Sequence, residues 1–257
     1  MGASFLPQDA ALLPAWDLLS KHCVVLESFA MLLTIPSVLS RDEVDHIRGV
    51  LSDTAWVDGN VTSGVQSALA KNNLQVPEDA PEARALGEII LRALGSNAMF
   101  NSAAFPLRVF PPLFNRYDTG MGFDAHVDNA IRYISSARQR VRTDVSVTLF
   151  LSDPAEYDGG ELIIEDTYGE QSVKLAAGDM VIYPADSLHR VDPVTRGSRW
   201  ASFFWVQSMI RDDGNRALLL RFDQSITLAR AELGDKHPSI LGLTSTFHNL
   251  LRKWTEL

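Results

Sequence analysis

From Leu107 onward the apolar pattern changes to a period of two, and no other feature constrains the fold of this chain as tightly. Alternating stretches run through Leu107–Val109, Leu113–Tyr117, Phe123–Asp128, Val145–Leu151, Glu161–Glu165, Ser172–Leu175, Asp179–Tyr183, His189–Val191 and Arg199–Val206. Side chains two apart on a strand share a face, so each stretch predicts a strand with distinct sides. Turn chemistry separates them at Asp158-Gly159-Gly160, Tyr168-Gly169-Glu170, Ala177-Gly178-Asp179 and Arg196-Gly197-Ser198. Many short strands joined by glycine turns predict a sandwich or barrel.

Helices flank this region. Ser40-Arg-Asp-Glu43 has the spacing of a capping box, and Val44, Ile47, Val50 and Leu51 then fall on one helical face. A second helix is expected over Pro81 to Leu94, with Ala85, Leu86, Ile89, Ile90 and Leu94 inward. Between them, Val61 to Gln75 reads as polar and irregular. After Asp212 the helical period returns in two stripes, broken near Gly234 and Pro238. These predict a C-terminal helical pair that either caps the β region or forms a homodimer interface. The fold class is therefore α+β, mainly β. The expected divisions are an N-terminal extension over 1–30, a main domain over 31–208 whose β core spans about 107–208, and a helical segment over 209–257.

Charge and cysteine use narrow the setting. A net charge of −9 over 257 residues, with no Lys/Arg run, argues against nucleic acid or an anionic membrane surface as partner. Cys23 is the only cysteine, which rules out an intramolecular disulfide and fits a reducing cytoplasm. The apolar run from Val24 to Leu39 is interrupted by Glu27, Ser28 and Pro36, too short and broken for a transmembrane helix. No basic n-region or cleavage site suggests a signal peptide, and the Met1-Gly2 start lacks Ser or Thr at position six, as a myristoylation signal requires.

His126-Val127-Asp128 lies on an expected strand, so its imidazole and carboxylate can reach one metal ion together. His189, just past the strand ended by Pro184, is the expected third ligand. Two imidazoles and one carboxylate form the facial triad of non-haem Fe(II) oxygenases, which leaves coordination positions open. His22, His46, His237 and His248 lie in the extension, a helix and the tail, and read as structural or solvated. Arg199 shares a strand face with apolar Ala201 and Phe203, so it requires an anionic partner: a bound carboxylate, or an internal Asp or Glu. Arg196 reads as a turn residue, and Arg190 points away from the His189 side. Tyr117 and Asn115 share a face just before the ligand pair and could donate to a bound co-substrate, or be buried with local partners. Asp158, Glu161 and Glu165 read as solvated hairpin residues.

His126-Val-Asp128-Asn129, the Asp158-Gly-Gly-Glu-Leu162 hairpin, Gly178-Asp-Met-Val-Ile-Tyr-Pro184, His189-Arg-Val191 and Arg199 together resemble the prolyl 4-hydroxylase-like Fe(II)/2-oxoglutarate dioxygenases. The resemblance is greatest to the bacterial PKHD-type hydroxylases and runs from about Met31 to the C-terminal helices. It implies a double-stranded β-helix, or jelly roll, with flanking helices. His126, Asp128 and His189 would be the Fe(II) ligands, and Arg199 would hold the distal carboxylate of 2-oxoglutarate. With O2, such enzymes hydroxylate a C–H bond and release succinate and carbon dioxide; L-ascorbate is a possible accessory reductant. Where some relatives carry a co-substrate-binding tyrosine, this chain has Phe150, which leaves Tyr117 as the expected polar contact. A cupin-type isomerase or lyase and a non-catalytic iron or oxygen sensor are the alternatives. The substrate could be a peptide or a small molecule. Lys71 to Gln75 and Ala130 to Thr143 are expected lids, and Arg132, Arg138, Arg140 and Arg142 in the latter could favour an acidic substrate.

Overall fold

A computed structural model describes residues 32–62, 70–135, 137–166 and 169–257. The expected 1–30 extension, with His22 and Cys23, lies outside the described residues. Strand β1 (Leu33–Ile35) and helix α1 (Arg41–Asp53) come first, followed by short strands β2 (Val57–Asp58), β3 (Lys71–Asn72) and β4 (Leu74–Gln75). Helices α2 (Pro81–Ser96) and α3 (Ala98–Ala104) follow. Next come β5 (Pro106–Val109), β6 (Leu113–Asp118), β7 (Gly122–His126), β8 (Ile131–Ile134), β9 (Gln139–Arg142) and β10 (Val145–Phe150). The remaining strands are β11 (Asp158–Gly159), β12 (Leu162–Asp166), β13 (Gly169–Val173), β14 (Met180–Pro184), β15 (His189–Val191), β16 (Val194–Arg196) and β17 (Ser198–Ser208). Helices α4 (Asp213–Leu233) and α5 (Pro238–Trp254) complete the chain.

Two large antiparallel sheets organise these strands. Among the described residues, one has eight strands in the order β1-β14-β10-β17-β6-β4-β2, with β5 paired to the end of β17. The other has five, in the order β13-β12-β15-β7-β3. Tyr117, Phe150, Val181 and Tyr183 from the first meet Leu162, Ile164, Val173 and Val191 from the second in one buried cluster. On the other face of the larger sheet, Val145, Val147, Leu149, Ile182 and Phe204 pack with Ile47 and Leu51 of α1, Ile90 of α2 and Phe100 of α3. β10 is therefore buried on both faces, and its alternate residues serve two different interiors.

The helices form where local chemistry favours them. At the start of α1, the Ser40 backbone N–H donates to Glu43 Oε2 at 2.8 Å and Ser40 Oγ accepts from the Glu43 N–H at 3.3 Å, closing the capping box. Val44, Ile47 and Leu51 are buried. α2 begins with Pro81 in its first turn and buries Ala83, Leu86, Gly87, Ile90 and Leu94; Ala85, expected inward, is exposed. The buried Arg216 of α4 donates to the carbonyls of Ile210 at 2.8 Å and Arg211 at 2.7 Å, fastening α4 to the end of β17. No helix among the described residues is long and apolar enough to cross a membrane.

Three local expectations need correction. Lys71–Asn72 and Leu74–Gln75 are short strands rather than irregular chain, because β3 pairs with β7 and β4 with β6. Ala130 to Thr143 contains the hairpin β8–β9. β7 ends at His126, so Asp128 projects from the following loop and not from the strand.

Gly178 joins the helical and β layers. Its N–H donates to Phe150 O at 2.8 Å, and its carbonyl accepts from Val38 and Leu39 N–H at 2.9 and 3.1 Å. Its φ is +95°, and a Cβ there would lie 2.6 Å from Leu39 O. Gly178→Ala is expected to destabilise the protein by about 2–3 kcal/mol, read as a lowered midpoint in urea.

Candidate metal centre

β7 and β15 are antiparallel neighbours, and their register sets His126 directly opposite His189. The two rings lie 4.3 Å apart between centroids. Asp128 reaches the same point from the loop, with Oδ2 3.9 Å from His189 Nε2. One ligand atom from each of the three lies within 4.8 Å of the others. Ser146 of β10 donates its hydroxyl to Asp128 Oδ2, holding the carboxylate from the opposite sheet.

Backbone carbonyls orient both histidines. His126 Nδ1 is 2.8 Å from Asp124 O, and His189 Nδ1 is 3.0 Å from Ser187 O. A carbonyl only accepts, so each Nδ1 carries the proton and each Nε2 keeps its lone pair for a metal. The Phe123 ring stacks on His126 at 3.5 Å, and Tyr183 packs edge-on to His189 at 5.2 Å. Burial, and then the neighbouring His189, hold the His126 pKa down at about 4, so the ring is neutral as ligation requires. Two imidazole nitrogens and one carboxylate oxygen suit Fe(II) or another borderline divalent ion.

The same cavity reaches Arg199, which is 1% exposed. Arg199 stands opposite Tyr117 across β17 and β6, with its guanidinium carbon 5.4 Å from the Tyr117 ring and 5.1 Å from Phe150. Gly160 leaves room for it, since a Cβ there would come 3.2 Å from Arg199 Cδ. No carboxylate lies within ion-pair distance of Arg199 among the described residues, and its buried Nε has no hydrogen-bond partner. The internal ion pair that would have explained this arginine is therefore absent from the described structure. Asn115, also lining the cavity, has a buried Oδ1 without a partner. Phe150 is an apolar wall against Arg199, on the strand face it shares with Ser146 and Thr148. Arg190 instead pairs with Glu170 and Asp192, and Arg196 with Asp158, both away from the cavity. Glu161 pairs with Lys174.

Sequence reasoning missed Ser146, Thr148, Tyr183 and the position of Lys71, all of which line the cavity. Two polar residues at alternate positions of an otherwise apolar β10 were the available signal. Lys71 is 8% exposed, and its Nζ donates to Gln75 Oε1 at 3.1 Å. Burial, with Arg132 adding repulsion, lowers its pKa to about 8.

Comparison with known proteins adds the family. A PKHD-type hydroxylase of Gluconobacter oxydans (strain 621H) is 68% identical over 227 residues, covering 88% of this chain and 100% of the relative. The chain belongs to the PKHD-type hydroxylases. A second such hydroxylase, from Methylobacterium nodulans (strain LMG 21967 / CNCM I-2342 / ORS 2060), is 59% identical, again covering 88% and 100%. Residues 112–207 match the 2OG-Fe(II) oxygenase superfamily, and residues 213–256 match the PKHD-type hydroxylase C-terminal domain. HygX from Streptomyces hygroscopicus, crystallised with nickel, 2-oxoglutarate and hygromycin B, shares the fold with a TM-score of 0.51 at 15% identity, over 70% of this chain and 84% of that one. This PKHD-type hydroxylase is a 2-oxoglutarate-dependent dioxygenase that uses Fe(II), which sets aside the isomerase and sensor alternatives.

Two outcomes are expected. Ser146→Ala frees the Asp128 carboxylate and should weaken Fe(II) binding by roughly 10-fold or more in anaerobic calorimetry. Between about pH 8, where native Lys71 loses its proton, and pH 10.5, where the unfolded chain does, the unfolded state binds more protons. Stability from this residue therefore rises with pH across that window and is lost as pH falls through 8, a change of about 3 kcal/mol. The wild-type minus Lys71→Met difference in thermal melts should follow that rise.

Proposed function

We propose that His126, Asp128 and His189 hold the Fe(II) ion, and that Arg199, with Tyr117 and Asn115, binds 2-oxoglutarate. One observation carries this reading: three convergent ligand atoms share a cavity with a buried arginine that has no ion pair among the described residues. A guanidinium and a carboxylate meet in a two-pronged pair, which supplies the anion that burial of Arg199 demands. Tyr117 and the Asn115 amide lie on the strand beside it, placed to hydrogen-bond the co-substrate.

Bound iron supplies the O2 activation that couples 2-oxoglutarate breakdown to succinate and carbon dioxide with hydroxylation of a substrate C–H bond. The protein's part is orientation. The carbonyls of Asp124 and Ser187 fix the imidazole tautomers, Ser146 fixes the carboxylate, and Phe123 and Tyr183 restrict the rings and exclude water. L-Ascorbate fits as an accessory reductant of the iron.

We also infer that the facing sheets form a double-stranded β-helix over about 107–208, within a domain spanning 31–208, with 209–257 as a C-terminal helical pair. The two family matches divide at nearly the same place. Exposed Leu218, Leu228, Leu233 and Leu241 on those helices support a homodimer contact. The net charge of −9 and the single cysteine support a cytoplasmic protein without a nucleic-acid partner, acting on a small molecule or peptide.

Anaerobic addition of Fe(II) and then 2-oxoglutarate to metal-free protein should produce a visible charge-transfer band. The band should be lost in His126→Ala, and Arg199→Ala should weaken 2-oxoglutarate binding by about 100-fold. Iron binding without a band would overturn the co-substrate assignment, and no iron binding would overturn the triad.

A further inference from the structure

We propose that Tyr157 is a positioning residue for co-substrate binding. Its hydroxyl oxygen accepts the Arg199 Nε–H and so aims the two terminal nitrogens of that guanidinium at the distal carboxylate of 2-oxoglutarate. The proposal rests on the preceding assignment of Arg199 to the co-substrate. Tyr157 is not among the residues that line the cavity, so its effect on a ligand there passes through the arginine.

The two side chains meet at Gly160. A Cβ built on that residue would come 3.1 Å from Tyr157 Cε2 and 3.2 Å from Arg199 Cδ. Cε2 adjoins the ring carbon that bears the hydroxyl, and Cδ is bonded to Nε. The hydroxyl edge of the tyrosine therefore runs beside the Nε end of the arginine stem. Tyr157 is 0% exposed and Arg199 1%, so neither turns to solvent for a partner. Tyr157 Oη and Arg199 Nε are both buried, and neither has another hydrogen-bond partner among the described residues. Nε–H only donates and a hydroxyl oxygen accepts, so each meets the need of the other. Burial raises the Tyr157 pKa and the charge of Arg199 opposes the rise, which places the hydroxyl in the field of the guanidinium.

The remaining walls around Arg199 confine it without orienting it. The Tyr117 and Phe150 rings lie 5.4 and 5.1 Å from the guanidinium carbon. An aromatic face attracts a cation but leaves its rotation free. Two-pronged pairing with a carboxylate requires the planes of the two groups to coincide. A hydrogen bond at Nε sets that plane before the ligand arrives. Tyr157 itself is held independently of the cavity. It follows a 3-10 turn over Pro154–Glu156 and leads into β11. Lys174 Nζ lies 4.2 Å from the centre of its ring and donates to the carbonyls of Tyr157 at 3.1 Å and Gly159 at 2.9 Å. Asp158 pairs with Arg196 where β11 meets β16, tying the loop to the turn that starts the strand of Arg199.

The test titrates the full chain, loaded anaerobically with Fe(II), with 2-oxoglutarate and separately with 2-oxopentanoate, which keeps the keto-acid end and lacks the distal carboxylate. Both titrations are read by the visible band. Tyr157→Phe keeps the ring and removes the hydroxyl. It is expected to weaken 2-oxoglutarate roughly 10-fold and to change 2-oxopentanoate by less than about two-fold. In an Arg199→Ala background the same substitution should cost nothing further. Thermal melts report folding, and the Tyr157→Phe midpoint should stay within a few degrees of the wild type. Unchanged 2-oxoglutarate affinity, an equal loss for both keto acids, a loss that persists without Arg199, or a variant that no longer folds would overturn the proposal. Equal binding of the two keto acids by the wild-type chain would overturn the Arg199 assignment, and the role of Tyr157 with it. A wild-type preference for 2-oxoglutarate that Tyr157→Phe leaves intact would sink the Tyr157 role alone.

Discussion

Burial of β10 and β17 on both faces is the constraint from which the rest of the structure follows. A strand buried on one side only can alternate apolar and polar residues, with the polar set in water. These two strands have no such outlet. Val145, Val147 and Leu149 on one face of β10, with Phe204 and Val206 of β17, fill the layer under the helices. The opposite faces therefore carry whatever the interior between the sheets requires, and there Ser146, Thr148 and Arg199 are polar groups inside a protein core. Polar groups in such a place are stable only with partners, so the cavity is defined as much by what must be bound there as by its shape.

The candidate metal centre uses that interior economically. Its two histidines come from neighbouring strands in register, so a single ladder of backbone hydrogen bonds fixes their separation. Their tautomers are set by main-chain carbonyls, which no side-chain substitution removes. The carboxylate comes from a loop and is restrained by Ser146 of the other sheet, so the site also clamps the two sheets together. Arg199, Lys71 and Arg132 place positive charge around a cavity that contains one acidic side chain.

Much of this was legible in the chain. Period-two alternation located most of the strands, and the Ser40–Glu43 spacing located the start of α1, because both are set by local geometry. The ligand residues could be selected because an imidazole and a carboxylate two apart, a later histidine and an arginine on an apolar strand face each carry a chemical demand. Asp128 was assigned to a strand that ends at His126, since spacing alone does not show where a strand stops. Lys71 and its neighbours looked irregular because two-residue strands have too little sequence to show a period; their pairing with β6 and β7 is what orders them. The hairpin of Arg132 was hidden for a related reason, with charged residues occupying alternate positions that face solvent or the cavity rather than a continuous apolar core.

The sequence by itself determined the fold class, the family resemblance and the identities of the groups able to bind metal, because these depend on residue type and short-range periodicity. Only the tertiary structure decided which of several arginines face the cavity and which are paired in solvent. It also decided which carbonyls orient the histidines, and that a lysine from the segment before α2 lines the same cavity as the proposed metal ligands. Those facts depend on strand register and on contacts between residues far apart in the chain, and a one-residue slip in register would turn each of these side chains to the opposite face.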